Sequence, residues 1–317
     1  MNKILATKIV KLIISIVLSL VVSTAVVNLV LDNNLNSDLY NYIASIDRYD
    51  LFAQDTYTVV DFVINEMGFY YLLSQINSLT ESPVITIRVL VFSIFLLLTT
   101  LIQKNRGFWV GIILIVVVSL HPVVLQFVTS QIRSSLAIAL FFWGLSRKRR
   151  TYKYLFIAAS ITMHIVVIIL FFVYVIWNSE LLNRTKLSER KAVIFSLALA
   201  VLLVSLKTVL LNYLNIEKSG GTSGLLYTLM WFLVALLVSF TLTRRRCDYF
   251  LFIALFSNFC GVVSFLSDDY GSRFFAIFSV SLVLSSYLSS LTQRSSMVIT
   301  SLAFTNIISY YYWIGVN

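Results

Sequence analysis

The sequence predicts an all-α protein, a polytopic bundle of helices embedded in a membrane. Three observations carry that prediction. Apolar runs of transmembrane length recur along the whole chain, 59% of the 317 residues are hydrophobic against 12% charged, and the basic residues cluster between the runs. A mean hydropathy of +0.90 excludes a soluble enzyme held by one anchor. A net charge of +10 would suggest nucleic acid as the partner of a soluble protein. Here the Lys and Arg residues read as topology determinants, so no nucleic-acid partner is expected. A single membrane domain over 1–317 is the expected organisation.

The elements follow in order. Lys3, Lys8 and Lys11 precede an apolar run from Leu12 to Leu31. The run is longer than a signal-peptide core and reads as a retained first helix over 9–31. Residues 32–83 form a hydrophilic outer loop carrying Asp38, Asp47, Asp50, Asp55, Asp61 and Glu66, interleaved with Tyr40, Tyr42, Tyr49, Phe69 and Tyr70. Partly helical spacing from Tyr57 to Leu79 predicts an amphipathic helix on the membrane surface. Carboxylates beside aromatic faces suit sugars; the competing reading is an interfacial aromatic belt with a solvated acidic loop.

Further spans are predicted near 84–102, 107–128, 132–146, 192–211, 225–243, 248–266, 273–291 and 296–314. The run 154–177 is different. Read as one crossing helix, it sends Arg184, Lys186, Arg244, Arg245 and Arg246 outside. Read as a re-entrant pair with its tip near Met163-His164, it leaves most of the 24 Lys and Arg residues inside. The expectation is therefore about nine crossings plus the re-entrant pair, with the N-terminus inside and the C-terminus outside.

Six basic side chains sit within or at the edge of these spans: Arg88, His121, Arg133, His164, Lys207 and Arg273. Measured from the flanking basic loops, the first five stand roughly 21–24 Å above the inner face, in the outer third of a core about 30 Å thick. No Asp or Glu falls within a predicted span, so the layer reads as all-cationic and implies an anionic ligand. Arg133 stands about four turns before the basic loop Arg147–Arg150 and His164 about four turns after it. Antiparallel helices joined at that loop bring both side chains to one level. Each cation also has a structural reading. His164 can be a core histidine, Arg273 can pair with Asp268 or Asp269, and Arg88 and Lys207 can snorkel to the interface. His121 precedes Pro122, where the helix can bend. The chain lacks a Gly-rich phosphate loop, a metal-ligand cluster and a Gly-x-Ser-x-Gly elbow, and no metal or other cofactor is expected.

The order of short motifs adds a resemblance. Asp38-Leu-Tyr-Asn-Tyr42, Glu66-Met-Gly-Phe69, Gln131-Ile-Arg133 with Ala137, His164 in Met-His-Ile-Val, and Arg273-Phe-Phe together resemble the Wzy/EpsG group of bacterial polysaccharide polymerases. Two positions depart from that pattern: Met67 stands where the group has Pro, and Ser134 where it has Gln.

The resemblance implies a GT-C-like glycosyltransferase of the bacterial inner membrane, an O-antigen or exopolysaccharide polymerase serving lipopolysaccharide-type biosynthesis. Donor and acceptor would both be undecaprenyl-diphosphate-linked oligosaccharides joined on the periplasmic side, and the scheme leaves room for a chain-length regulator protein. Under this reading Arg88, Arg133, Lys207 and Arg273 hold the diphosphate. His164 supports them or positions the acceptor hydroxyl, and Glu66, then Asp38, serves as the general base. Another lipid-linked glycosyltransferase or ligase, a membrane acyltransferase and a lipid-linked sugar transporter are the alternatives.

Overall fold

The computed structural model describes residues 3–32, 37–46, 58, 63, 66–104, 106–178, 189–213, 225–241, 248–266, 272–288 and 292–315. The described residues form helices α1 (Lys3–Asp32), α2 (Ser37–Ser45), α3 (Met67–Thr80), α4 (Pro83–Lys104), α5 (Phe108–Ser119), α6 (Pro122–Ser130) and α7 (Ile132–Leu145). These are followed by α8 (Arg150–Met163), α9 (Val166–Asn178), α10 (Glu189–Tyr213), α11 (Leu225–Thr241), α12 (Tyr249–Leu266), α13 (Ser272–Leu284) and α14 (Gln293–Gly315). Several predicted features lie outside the described residues: Asp47, Asp50, Asp55, Asp61, Tyr49, Tyr57, Arg184, Lys186, the Arg244–Arg246 run, and Asp268 with Asp269.

Thr7–Asn28, Pro83–Lys104 and Lys191–Val209 are long and apolar enough to cross a membrane. The predicted run 107–128 is instead a broken pair, α5 and α6, bent by 66°. The break falls at Leu120-His121, where Pro122 supplies no N–H to continue the ladder. The apolar helices over 132–145, 166–178 and 273–284 are shorter. At 1.5 Å per residue they reach about 20 Å, short of a core about 30 Å thick. The predicted span 273–291 ends early, at Leu284, and passes into a 3-10 turn at Ser286–Leu288. Of the predicted surface helix, Met67–Thr80 is described, and Glu66 before it takes left-handed backbone angles; most of residues 57–65 lie outside the described residues.

The chain divides into two compact units, 1–108 with 125–172, and 109–124 with 173–317. In the first, α4 packs on α1, α2, α3 and α7. Ser15, Ser19 and Ser23 recur every fourth residue on α1 and are all buried. Side chains this small let two membrane helices close on each other, and the Ser19 and Thr99 hydroxyls share a hydrogen bond of 3.0 Å between α1 and α4. Lys11 Nζ donates to the carbonyls of Gln103 (3.2 Å) and Arg106 (2.7 Å) at the end of α4, where the helix dipole favours a cation.

The α7–α8 hairpin is just as close. A Cβ on Gly144 would lie 2.9 Å from Phe156 Cβ, and the Arg147 guanidinium stacks 4.1 Å from the Trp143 ring centroid. The run 154–177 breaks at His164, whose extended backbone (φ −162°, ψ 129°) ends α8, the predicted tip. The broad packing of an antiparallel pair between α8 and α9 is missing among the described residues. Instead α8 packs on α7 and α3.

In the second unit, α12 is the central helix. Leu251 through Gly261 are buried, the all-round apolar pattern of an enclosed helix. Trp231 of α11 stacks on Phe275 of α13 at 5.2 Å. His121 is a core residue here, 1% exposed. Its Nδ1 accepts the Val123 N–H at 3.3 Å, and its Nε2 lies 3.1 Å from Thr305 Oγ1. An imidazole that accepts a backbone N–H carries no proton on that nitrogen, so His121 is neutral and leaves the predicted cation layer.

Candidate functional site

Residues of α2, α3, α7 and α8 converge at one end of the first unit, around the Glu66 carboxylate. Glu66 precedes α3 with φ 57° and ψ 34°, a left-handed conformation that costs a non-glycine residue about 1–2 kcal/mol. Such strain persists where the surroundings fix the side chain, and here they do. Arg133 Nη1 donates to Glu66 Oε2 at 2.8 Å. His164 Nδ1 bonds to Oε1, and the Ile165 backbone N–H donates to the same oxygen at 3.2 Å. Ile165 opens α9, so the carboxylate also sits at the positive end of a helix dipole.

The surrounding wall is aromatic. Arg133 Nη1 donates to Tyr70 Oη at 2.8 Å and Nε to Tyr42 Oη at 3.2 Å. Phe69 is fully buried and packs edge-on against both Tyr42 (6.0 Å) and Tyr70 (5.8 Å). The approach of α3 to α8 depends on Gly68. A Cβ there would lie 2.4 Å from Thr162 Oγ1 and 2.9 Å from the Thr162 carbonyl, two residues before His164.

Burial pushes the Glu66 carboxyl pKa up. The His164 hydrogen bond and charge, the Arg133 charge and the Ile165 N–H outweigh it and hold the group below its ordinary value of 4.5. A carboxylate depressed in the folded state stabilises the fold above its unfolded pKa and loses that contribution as pH falls through the folded value. The wild type is therefore expected to lose melting temperature on acidification below about pH 4.5 by more than Glu66→Gln does. Thermal melts across that window check this, and equal acid sensitivity in the two proteins would contradict it.

Glu66 corrects one expectation: the cations are not without an acidic partner, because Arg133 and His164 share one carboxylate. It also weakens Glu66 as a general base, since a carboxylate bonded by an arginine, a histidine and a backbone amide is a poor proton acceptor. The unengaged groups are elsewhere. Among the described residues, Arg133 Nη2 and His164 Nε2 bond to nothing in the protein, and their side chains are 33% and 19% exposed. The arginine fork is largely occupied by Glu66, Tyr70 and Tyr42, which leaves a single nitrogen for a ligand.

The other predicted site residues lie apart from this cluster's bonding. Arg88 Nη2 donates to Asn28 Oδ1 at 2.8 Å. Asp38 lies on α2 one turn before Tyr42, its side chain outside the described residues. Lys207 is exposed on α10 and Arg273 is exposed at the start of α13, both in the second unit. Sequence reasoning treated Tyr42 and Tyr70 as loop aromatics rather than arginine partners. Spacing carries no signal for Tyr70, because Glu66 lies before α3 with left-handed angles and the four-residue rule of a helix does not reach it.

The motifs carrying this cluster all fall within one homologous region, for the profile of the EpsG family matches residues 8–316. The chain belongs to the EpsG family. Searches of curated proteins and of solved structures find no match to it. EpsG membership points to polysaccharide-polymerase-like chemistry in a membrane protein. It gives the Arg133–Glu66–His164 cluster a reaction class to be tested against.

Proposed function

We propose that this protein is a polysaccharide polymerase that joins undecaprenyl-diphosphate-linked repeat units at the periplasmic face of the bacterial inner membrane. The observation that carries the reading is the shared carboxylate: Glu66 takes one nitrogen each from Arg133 and His164 and leaves Arg133 Nη2 and His164 Nε2 for substrate. With Nδ1–H turned to Glu66, neutral His164 presents a lone pair at Nε2. That nitrogen takes the proton of the acceptor hydroxyl as its oxygen attacks the donor's anomeric carbon. The new C–O bond forms, the bond from that carbon to the diphosphate oxygen breaks, and the lipid diphosphate leaves with its electron pair. Arg133 meets the developing charge, a contribution commonly worth about 3–4 kcal/mol. Glu66 is a positioning residue. Lys207 and Arg273 do not enter this reading.

In the proposed topology the N-terminus is cytoplasmic, about nine segments cross, and α8 and α9 enter and leave on the cytoplasmic side. That places the C-terminus and the Glu66 cluster on the periplasmic side. Positive-inside counting supports it. Reconstituted vesicles given a defined lipid-diphosphate repeat unit test the function by mass spectrometry. Products heavier by whole repeats support polymerisation; intact substrate moved across the bilayer, or a transferred acyl group, contradicts it.

Gly68→Ala probes the geometry behind this chemistry. The new Cβ meets the Thr162 side chain and carbonyl, so α3 must withdraw from α8 and carry Glu66 away from His164. Displacements on the order of 1 Å lower rates by about 100-fold. Polymer yield is expected to fall by that order, with partial recovery in Gly68→Ala/Thr162→Ala, because that change removes the 2.4 Å contact to Oγ1 and leaves those to the Cβ (2.8 Å) and carbonyl (2.9 Å) of residue 162. Wild-type yield in Gly68→Ala would show that the α3–α8 contact does not position the cluster.

A further inference from the structure

We propose that Arg88, held by Asn28, is the phosphate site for a second prenyl diphosphate, so that donor and acceptor lipids bind to separate cations of the first unit. This inference rests on the polymerase reading, which requires two lipid diphosphates at once. Glu66 cancels the charge of Arg133, so that cluster is poorly equipped to hold two polyanions side by side. Arg88 differs in every relevant respect. Its guanidinium is permanently charged, and its protein partner is the neutral amide of Asn28 at 2.8 Å. Its Nε is buried with no partner. No carboxylate pairs with it among the described residues, whose ion pairs all involve Glu66. The residue lies in the second turn of a membrane-spanning helix, Pro83–Lys104, where an uncompensated cation is costly and usually serves a ligand.

The surface below Arg88 fits a lipid tail. Arg88, Val89, Phe92 and Leu96 follow the three- and four-residue spacing of one helix face. Val89 is exposed, and Phe92 and Leu96 are partly so. A cation at the head of an apolar stripe matches an anionic head group with a hydrocarbon chain. Phosphatidylglycerol offers the same general chemistry, and the reaction favours the prenyl diphosphate.

The test is native mass spectrometry of the full-length protein in detergent with farnesyl diphosphate, repeated with phosphatidylglycerol as competitor. Wild type should bind two molecules. Arg88→Gln, whose amide can keep the Asn28 bond, should bind one, with loss of affinity on the order of tenfold or more at the missing site. Arg133→Gln should lose the other, and Arg88→Lys should still bind two molecules, with only the site at residue 88 weakened. One molecule on the wild type, two on Arg88→Gln at wild-type affinity, or equal displacement by phosphatidylglycerol would overturn the inference. Two bound molecules in a protein that makes no polymer would retire the polymerase reading and leave the two-site inference standing.

Discussion

Arg133→Ala is expected to leave the protein inserted and abundant while abolishing long polymer, so that single repeat units accumulate on the lipid carrier. The expected loss is at least 100- to 1000-fold, the range seen when one preorganised donor to a developing oxyanion is removed. Two effects add here. The Nη2 contact to the leaving diphosphate disappears, and Glu66, 10% exposed, loses its 2.8 Å partner. Tyr42 and Tyr70 lose their bonds to the same side chain. Arg133→Lys is expected to fail as well. An ammonium is one point charge and cannot reach Glu66, Tyr70 and Tyr42 while still presenting a nitrogen to substrate. Gel analysis of lipid-linked glycan, with an immunoblot for protein, checks both variants. Normal chain length in either would remove Arg133 from the chemistry.

His164→Ala should produce a different failure. If Nε2 is the base, its loss lowers the chemical step by about 100- to 10,000-fold and leaves the arginine contact to the donor in place. Donor lipid should still bind at close to wild-type affinity, in contrast to Arg133→Ala. His164→Gln separates orientation from basicity: an amide can still bond to Glu66, yet it cannot take a proton. Single-turnover transfer with a binding assay on the same preparations distinguishes these cases. Full activity in His164→Gln would assign the histidine a structural part only.

The candidate cluster was partly legible in the sequence because helix geometry is periodic. Arg133 and His164 could be set at one level by counting turns from Arg147 and Arg150, and the α7–α8 hairpin does bring them to one carboxylate. Which carboxylate was not legible by counting. Glu66 is a non-helical residue directly before α3, and its reach into the bundle depends on left-handed backbone angles and on Gly68 closing against Thr162. Neither leaves a periodic trace. Tyr42 on α2 and Tyr70 on α3 were hidden for another reason, since an aromatic beside a membrane reads first as interfacial belt. His121 shows the opposite failure. Its height matched the other cations, while its bonds to Val123 and Thr305 make it neutral. Apolar periodicity made the fold class plain, yet the breaks at Pro122 and His164 and the end of α13 at Leu284 divide runs that hydropathy alone joins.

The most direct test of the shared carboxylate compares wild type with Glu66→Gln on one defined lipid-diphosphate repeat unit, reading the product ladder by mass spectrometry. The substitution keeps shape and removes the charge that holds Arg133 and His164 together. A ladder spaced by whole repeats for wild type, with only the starting unit for Glu66→Gln, is the predicted result. Matching ladders from the two proteins would contradict the account.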